Sequence, residues 1–204
     1  MQNIKVTFPD GKVAEFEKGT KAIDIVKGIG EGLARVALCV GLNDKPADLT
    51  APVTEDCAFA VYTFADEEGK EVYRHTASHV MAQAVKRLYP SAKVAIGPAV
   101  KNGFYYDIEF EKEFTMQDLP RVEEEMKKIV AENLPITRSV VKAADAVKLF
   151  TKENEPYKVE IINDLGAGEV SLYTQGEYVD MCRGPHLTST GKIKAFKLTS
   201  VAGA

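Results

Sequence analysis

The sequence predicts an α+β protein in two parts: a small β-rich domain over residues 1–62 and a larger α+β domain over 74–204, joined by an entry segment at 63–73. Three observations predict it. A hairpin pattern, one amphipathic helix and further short strands fill the first sixty residues. The composition then turns acidic and Gly-containing over 64–73. Beyond that point long helical patterns and short strand patterns both occur, with no internal repeat.

Each element has a local reason. Ile4, Val6 and Phe8 alternate with Lys5 and Thr7, Pro9-Asp10-Gly11 supplies a turn, and Val13 and Phe16 resume the apolar pattern. Thr20 is the expected cap of a helix that buries Ile23, Ile25, Val26 and Ile29 and ends at Gly30-Glu31-Gly32. A strand over 36–40, an Asn43-Asp44-Lys45-Pro46 turn and a strand over 57–63 follow. Hairpin, helix and short strands in this order fit a β-grasp layout, in which one helix packs across a mixed sheet. The domain carries no catalytic cluster and reads as a docking or binding module.

The second domain opens with a helix over 74–89 that Pro90 stops. An Asn102-Gly103 turn joins strand patterns at 93–100 and 104–110. Thr115 and Asp118 suggest a capping box, Pro120 sits in the first turn, and the helix runs to Leu134. A helix over 142–153 and strand-like segments at 158–162, 169–174, 177–181 and 195–201 complete the chain.

Composition excludes several classes. Hydrophobic residues make up 45% and charged residues 27%, which argues against disorder. No apolar run approaches the ~20 residues of a membrane span, and Met1-Gln-Asn-Ile-Lys5 leads into a strand with no signal-peptide core. Three cysteines, Cys39, Cys57 and Cys182, do not suggest a disulfide framework, so a soluble cytoplasmic protein with no membrane partner is expected. The net charge is −4, with 7 basic and 9 acidic residues up to Ala65 and 19 and 21 after it. Neither half has the basic excess of a protein that grips nucleic acid by charge alone.

Two motifs carry chemistry. In His75-Thr-Ala-Ser-His79 the histidines lie four apart on one helical face, opposite the stripe Ala77, Val80, Met81, Ala84, Val85 and Leu88. In Asp180-Met-Cys182-Arg-Gly-Pro-His186, Asp180 and Cys182 share one face of a strand that runs into a Gly-Pro turn. All three histidines of the chain fall in these motifs. His-x3-His with Cys-x3-His fits a tetrahedral zinc site. The same residues could line a metal-free hydrolytic pocket, or Cys182 beside Arg183 could be a nucleophile. Spacing leaves these alternatives open, chance among them.

The segment from Arg74 through His75 and His79, with Gly103-Phe-Tyr-Tyr-Asp107 and Asp180 to His186, resembles the editing domain shared by threonyl- and alanyl-tRNA synthetases. The first 62 residues resemble a TGS domain, and the order of the two points to the threonyl branch. The resemblance covers essentially the whole chain and implies an N-terminal fragment of a bacterial-type synthetase. No stretch resembles the class II catalytic motifs or an anticodon-binding domain.

What the resemblance implies is proofreading: hydrolysis of serine from mischarged tRNA(Thr), releasing serine and free tRNA, without aminoacylation. Serine and threonine differ by one methyl group, which a pocket discriminates by only about 1–3 kcal/mol, so a second hydrolytic site is needed. His75 is the expected group that orients or deprotonates water. His79 and His186 share the hydrogen-bond network, Cys182 lines the pocket, and Lys158 holds a water or the leaving hydroxyl. For the substrate, Asp180 accepts hydrogen bonds from serine, Tyr106 walls off the extra methyl, and Gly97 lets the ester approach backbone amides. No cofactor is expected here. ATP and zinc belong to the missing catalytic core, and the alanyl relatives hold zinc in the corresponding quartet. The expected partner is the serine-bearing 3′ end of tRNA(Thr), with a monomeric fragment and a homodimeric full-length enzyme. The competing class is a zinc-stabilised RNA- or protein-binding module without catalysis.

Overall fold

The computed structural model describes residues 2–203; Met1 and Ala204, the outer ends of the two expected domains, lie outside the described residues. The chain divides into two compact units, Met1–Tyr73 with Gly184–Thr188 and Arg74–Arg183 with Ser189–Ala204.

The first unit has the expected β-grasp order. Strands β1 (Asn3–Thr7) and β2 (Val13–Glu17) pair antiparallel around a turn in which Gly11 takes φ 82°. Helix α1 (Ala22–Ile29) buries Ala22, Ile25 and Val26. Its N-cap is Lys21 rather than Thr20, because the Thr20 hydroxyl donates to the Glu17 carbonyl at 2.7 Å. Residues 31–36 form a short helix α2 (Glu31–Val36), so the expected strand starts later, as β3 (Cys39–Leu42). Glu31 in its first turn and Arg35 in its last suit the helix dipole, which explains the shift. Asn43 and Asp44, both at positive φ, turn the chain into β4 (Lys45–Ala47), and β5 (Cys57–Tyr62) completes the sheet. The strand order is β2-β1-β5-β3-β4, with β5 parallel to β1. Ile4, Val6, Ile25, Val26, Val40 and Phe59 form the core. Of the two cysteines in this unit, Cys39 is fully buried and Cys57 nearly so.

Helix α3 (Glu67–Leu88) starts inside the segment expected to be an entry linker. The carboxylate of Asp66 accepts the Thr63 N–H at 2.8 Å and the Thr63 hydroxyl at 3.1 Å, a closed N-terminal turn that fixes the start.

In the second unit, β6 (Lys93–Val94), β7 (Ala99–Val100), β8 (Gly103–Phe104) and β9 (Ile108–Glu109) form nested antiparallel pairs around the expected Asn102-Gly103 turn. Helix α4 (Leu119–Glu132) follows, its entry tied by Thr115 to Asp118 as the sequence suggests. Strand β10 (Ile136–Lys142), which the sequence reading lacked, pairs with β11 (Glu169–Gln175), and β11 pairs with β12 (Tyr178–Met181). Helices α5 (Ala143–Lys152) and α6 (Pro156–Leu165) intervene; Ala146, Phe150 and Ile162 from them share a core with Val170 and Leu172 of β11. Residues 158–162 are therefore helix, not strand. Pro156 in the first turn and Gly166 in left-handed conformation at the C-cap delimit α6, and Lys158 and Ile162 share its buried face. The expected strand at 195–201 has no regular structure. No described helix is long and apolar enough to cross a membrane. The fold is α+β, as predicted.

Candidate active site

The centre of the second unit is a buried charge cluster built from three elements. Asp180, on β12, is fully buried, and its side chain points the same way as Tyr178, two residues earlier. Lys158, in the first turn of α6, is 2% exposed and forms an ion pair with Asp180 Oδ1. That oxygen also accepts the Met181 N–H at 2.7 Å. The other, Oδ2, accepts the Tyr106 hydroxyl at 2.6 Å and the Tyr178 hydroxyl at 3.0 Å. Four donors thus meet the roughly four lone-pair directions of a carboxylate. Burial first, then the negative charge of Asp180, pushes both tyrosine phenols far above their ordinary 10, so both stay neutral.

Helix α3 supplies the histidines. Its middle is buried all round: Ala77, Val80, Ala84 and Val85 on the apolar stripe, but also Thr76, Ser78, His79, Ala82 and Gln83. The stripe was legible, and the opposite face, which carries the histidines, is covered as well. His75 is half-buried and its ring meets His79 edge to face at 4.9 Å. Burial above all, then the positive fields of His75 and Lys158, holds His79 well below the ordinary 6.5. Its Nε2 lies 3.5 Å from Asp180 Oδ2, and because the ring is neutral this is a polar contact, not an ion pair.

The donor atoms of His75, His79 and Cys182 lie within 4.8 Å of one another, and Cys182 is half-buried. Two imidazoles and a thiol at this spacing fit a zinc ion, with positions left for a further ligand or water. In the first unit, His186 is buried, and its N–H donates to Asp48 Oδ1 at 2.8 Å.

Gly97 and Tyr106 come together in an unforeseen way. A Cβ on Gly97 would stand 2.1 Å from Tyr106 Cδ2, so the absence of a side chain is what seats the tyrosine ring. The Ser78 hydroxyl, within hydrogen-bond range of both the Gly97 carbonyl at 2.7 Å and the His75 carbonyl at 2.8 Å, ties this seat to α3. Sequence reasoning missed Ser78 and Tyr178. Ser78 lies inside the first motif, and Tyr178 stands two residues before Asp180 on a strand. Lys158 and Tyr178 also line a cleft with Lys86, Glu155 and Val94.

Comparison with known families agrees with this architecture. Residues 4–63 match the TGS domain, and residues 170–203 match the family described as threonyl and alanyl tRNA synthetase second additional domain. The match to a TGS domain thus precedes the match to this second additional domain along the chain, the order that the sequence resemblance implies. The chain is 53% identical over 202 residues to the threonine–tRNA ligase of Acetivibrio thermocellus, covering 98% of this chain and 32% of that protein. It is 54% identical over 202 residues to that of Clostridium tetani, covering 98% and 32%. With that of Syntrophotalea carbinolica it is 52% identical over 206 residues, covering 100% and 32%. The chain therefore corresponds over nearly all its length to the N-terminal region of bacterial threonine–tRNA ligases, and spans about a third of their length.

Proposed function

We propose that this chain is a proofreading deacylase that hydrolyses the ester between serine and the terminal ribose of tRNA(Thr), releasing serine and free tRNA, without aminoacylation. The observation that carries the reading is a buried ammonium, Lys158, paired with Asp180 near a neutral imidazole, His79, whose partner ring His75 is half-buried. Ester hydrolysis needs a placed water, a proton acceptor and a donor for the developing oxyanion. His75 orients or deprotonates the water, and His79 supports it. Lys158 holds the water or the leaving ribose hydroxyl.

Cys182 lines the pocket, and His186, which follows it by four positions across the Gly184-Pro185 turn, belongs to the same network. Asp180 and Gly97 meet the seryl group, and Tyr106 excludes the methyl of threonine. To accept from serine, Asp180 must release one of its present donors. The partner is the 3′ end of tRNA(Thr) in the cytoplasm, with this fragment monomeric and the full-length enzyme homodimeric. The donor set also fits zinc, which would polarise a carbonyl or water when bound. The reading follows the threonyl branch and assigns the chemistry to the protein's own groups.

The test is release of serine from seryl-tRNA(Thr) by this chain, with His75→Ala and Lys158→Ala. Each is expected to lower kcat about 100-fold or more, the scale of a lost acid–base or oxyanion group. Lys158→Ala leaves a buried carboxylate unpaired, at a cost of about 3–5 kcal/mol, so its melting temperature must be measured alongside. Undiminished hydrolysis in both variants would remove these roles. Stoichiometric zinc in protein purified without chelators, lost together with activity in Cys182→Ala, would establish a metal-dependent site. Stoichiometric zinc without hydrolysis would favour the binding-module alternative.

A further inference from the structure

The polar groups around Lys158 form a closed ring. Its ammonium donates to Tyr106 Oη at 2.9 Å, the Tyr106 hydroxyl donates to Asp180 Oδ2 at 2.6 Å, and Asp180 Oδ1 accepts from Lys158 in turn. An ammonium has three N–H bonds, and this ring directs two of them. With two directions fixed and the stem buried in α6, the third N–H has one remaining direction in space. Resting on the deacylase reading, we propose that the Tyr106 hydroxyl is a positioning group, which closes this ring and aims the third N–H of Lys158 at the reacting water or the ribose oxygen.

This role differs from that of a wall. A wall acts through the tyrosine ring, which excludes a methyl group by bulk. Positioning acts through the hydroxyl, which touches no substrate atom. The two functions reside in different parts of one side chain, so one substitution separates them. The seat of the ring has the same purpose: Gly97 gives it room, and Ser78 anchors the Gly97 carbonyl to the histidine-bearing helix. The ammonium lies 5.4 Å from the Tyr106 ring centre but 2.9 Å from its oxygen, so the hydroxyl contact, not the ring face, holds it. Tyr178 gives Asp180 Oδ2 a second donor from outside the ring.

The experiment compares Tyr106→Phe with the unaltered chain on seryl-tRNA(Thr), reading kcat and KM separately. Phenylalanine keeps the wall and opens the ring. The expected result is a fall in kcat of roughly 10- to 100-fold, the scale of a misplaced catalytic group, with KM changed less than about twofold. An unchanged kcat, or an effect on KM alone, would overturn the proposal. Gly97→Ala is the second variant: it displaces the tyrosine ring while keeping the hydroxyl, and the same loss of kcat is expected. If Tyr106→Phe fails to fold, as judged by its melting curve, an undiminished kcat in Gly97→Ala overturns the proposal by itself. An unaltered chain that releases no serine would count against the deacylase reading itself. Full activity in Tyr106→Phe beside an active parent would sink the positioning role alone.

Discussion

Cys39 and Cys182 are the same residue type in opposite circumstances. Cys39 is fully buried, and desolvation, followed by the negative fields of Glu68, Asp48 and Asp66, pushes its thiol up to about 12. At pH 8 only about one part in ten thousand is then thiolate, the form that reacts. Cys57, nearly buried beside Glu55 and Asp56, is also raised. Cys182 is half-buried beside two imidazoles. In native protein at pH 8 a disulfide-exchange reagent should therefore modify one thiol rapidly, mapped by peptide mass to Cys182, and deacylation should fall in step with it. Denatured protein should yield three. Rapid native labelling of Cys39 would mean that the first core opens more readily than its burial implies. Much of this was readable beforehand: a cysteine inside an alternating strand pattern is core, and one that precedes a Gly-Pro turn beside a histidine is not. The proximity of His75, His79 and Cys182 was legible, because spacing carries it in His-x3-His and in the run that holds Cys182. It was not legible where a role depends on what lies opposite, as for Tyr178, Ser78 and the seating of Tyr106 by Gly97, because those contacts join residues far apart in the chain.

Gly69 shows how an element can carry a rule opposite to its propensity. It lies in the first turn of α3, where glycine costs about 1 kcal/mol relative to alanine, so Gly69→Ala should stabilise an isolated helix. In the folded chain a Cβ at this position would stand 1.9 Å from the Thr63 carbonyl oxygen, which folds back over the helix start. Backbone is a neighbour that cannot swing away, so Gly69→Ala is expected to lower the melting temperature despite its better propensity. A rise would show that the turn from Thr63 to Asp66 relaxes freely. This turn explains why the helix begins at Glu67 and not near Arg74, where it was expected. Thr63-x-x-Asp66 has the same form as Thr115-x-x-Asp118, which did announce α4, but an acidic, Gly-containing stretch resembles a linker. The misreading of 158–162 has a different cause. A ten-residue helix bounded by Pro156 and Gly166 buries only Lys158 and Ile162, and a lysine on the buried side breaks the apolar pattern that would reveal a helix. The buried ion pair with Asp180 has overridden periodicity there. Strand β10 went unread because five of its seven residues, Thr137 to Val140 and Lys142, are exposed, which leaves no alternation to detect.

At the scale of the molecule, the charge distribution decides how a polyanion can be held. The chain carries 26 basic and 30 acidic residues, and Arg183, Lys192, Lys194 and Lys197 fall close together in the sequence around and just after the Asp180–His186 run. Protein groups already engage some of these: Lys197 pairs with Glu123 at 2.9 Å, and Lys194 donates to the Gly191 carbonyl at 3.1 Å. With at most four phosphate contacts to a single-stranded 3′ end, log(kcat/KM) against log of salt concentration should have a slope no steeper than about −3. On the deacylase reading, recognition must then come from the seryl group and the terminal adenosine fitting the pocket, and this chain spans only about a third of the length of the ligases it matches. The expected outcome is deacylation by this chain at a KM well above that of a full-length threonine–tRNA ligase, with a similar kcat once the pocket is filled. Measuring both proteins on the same seryl-tRNA over 50–200 mM salt checks this. Equal KM values, or a slope for this chain as steep as the ligase's, would mean that these two domains hold the tRNA by themselves, through a basic surface that their composition does not suggest.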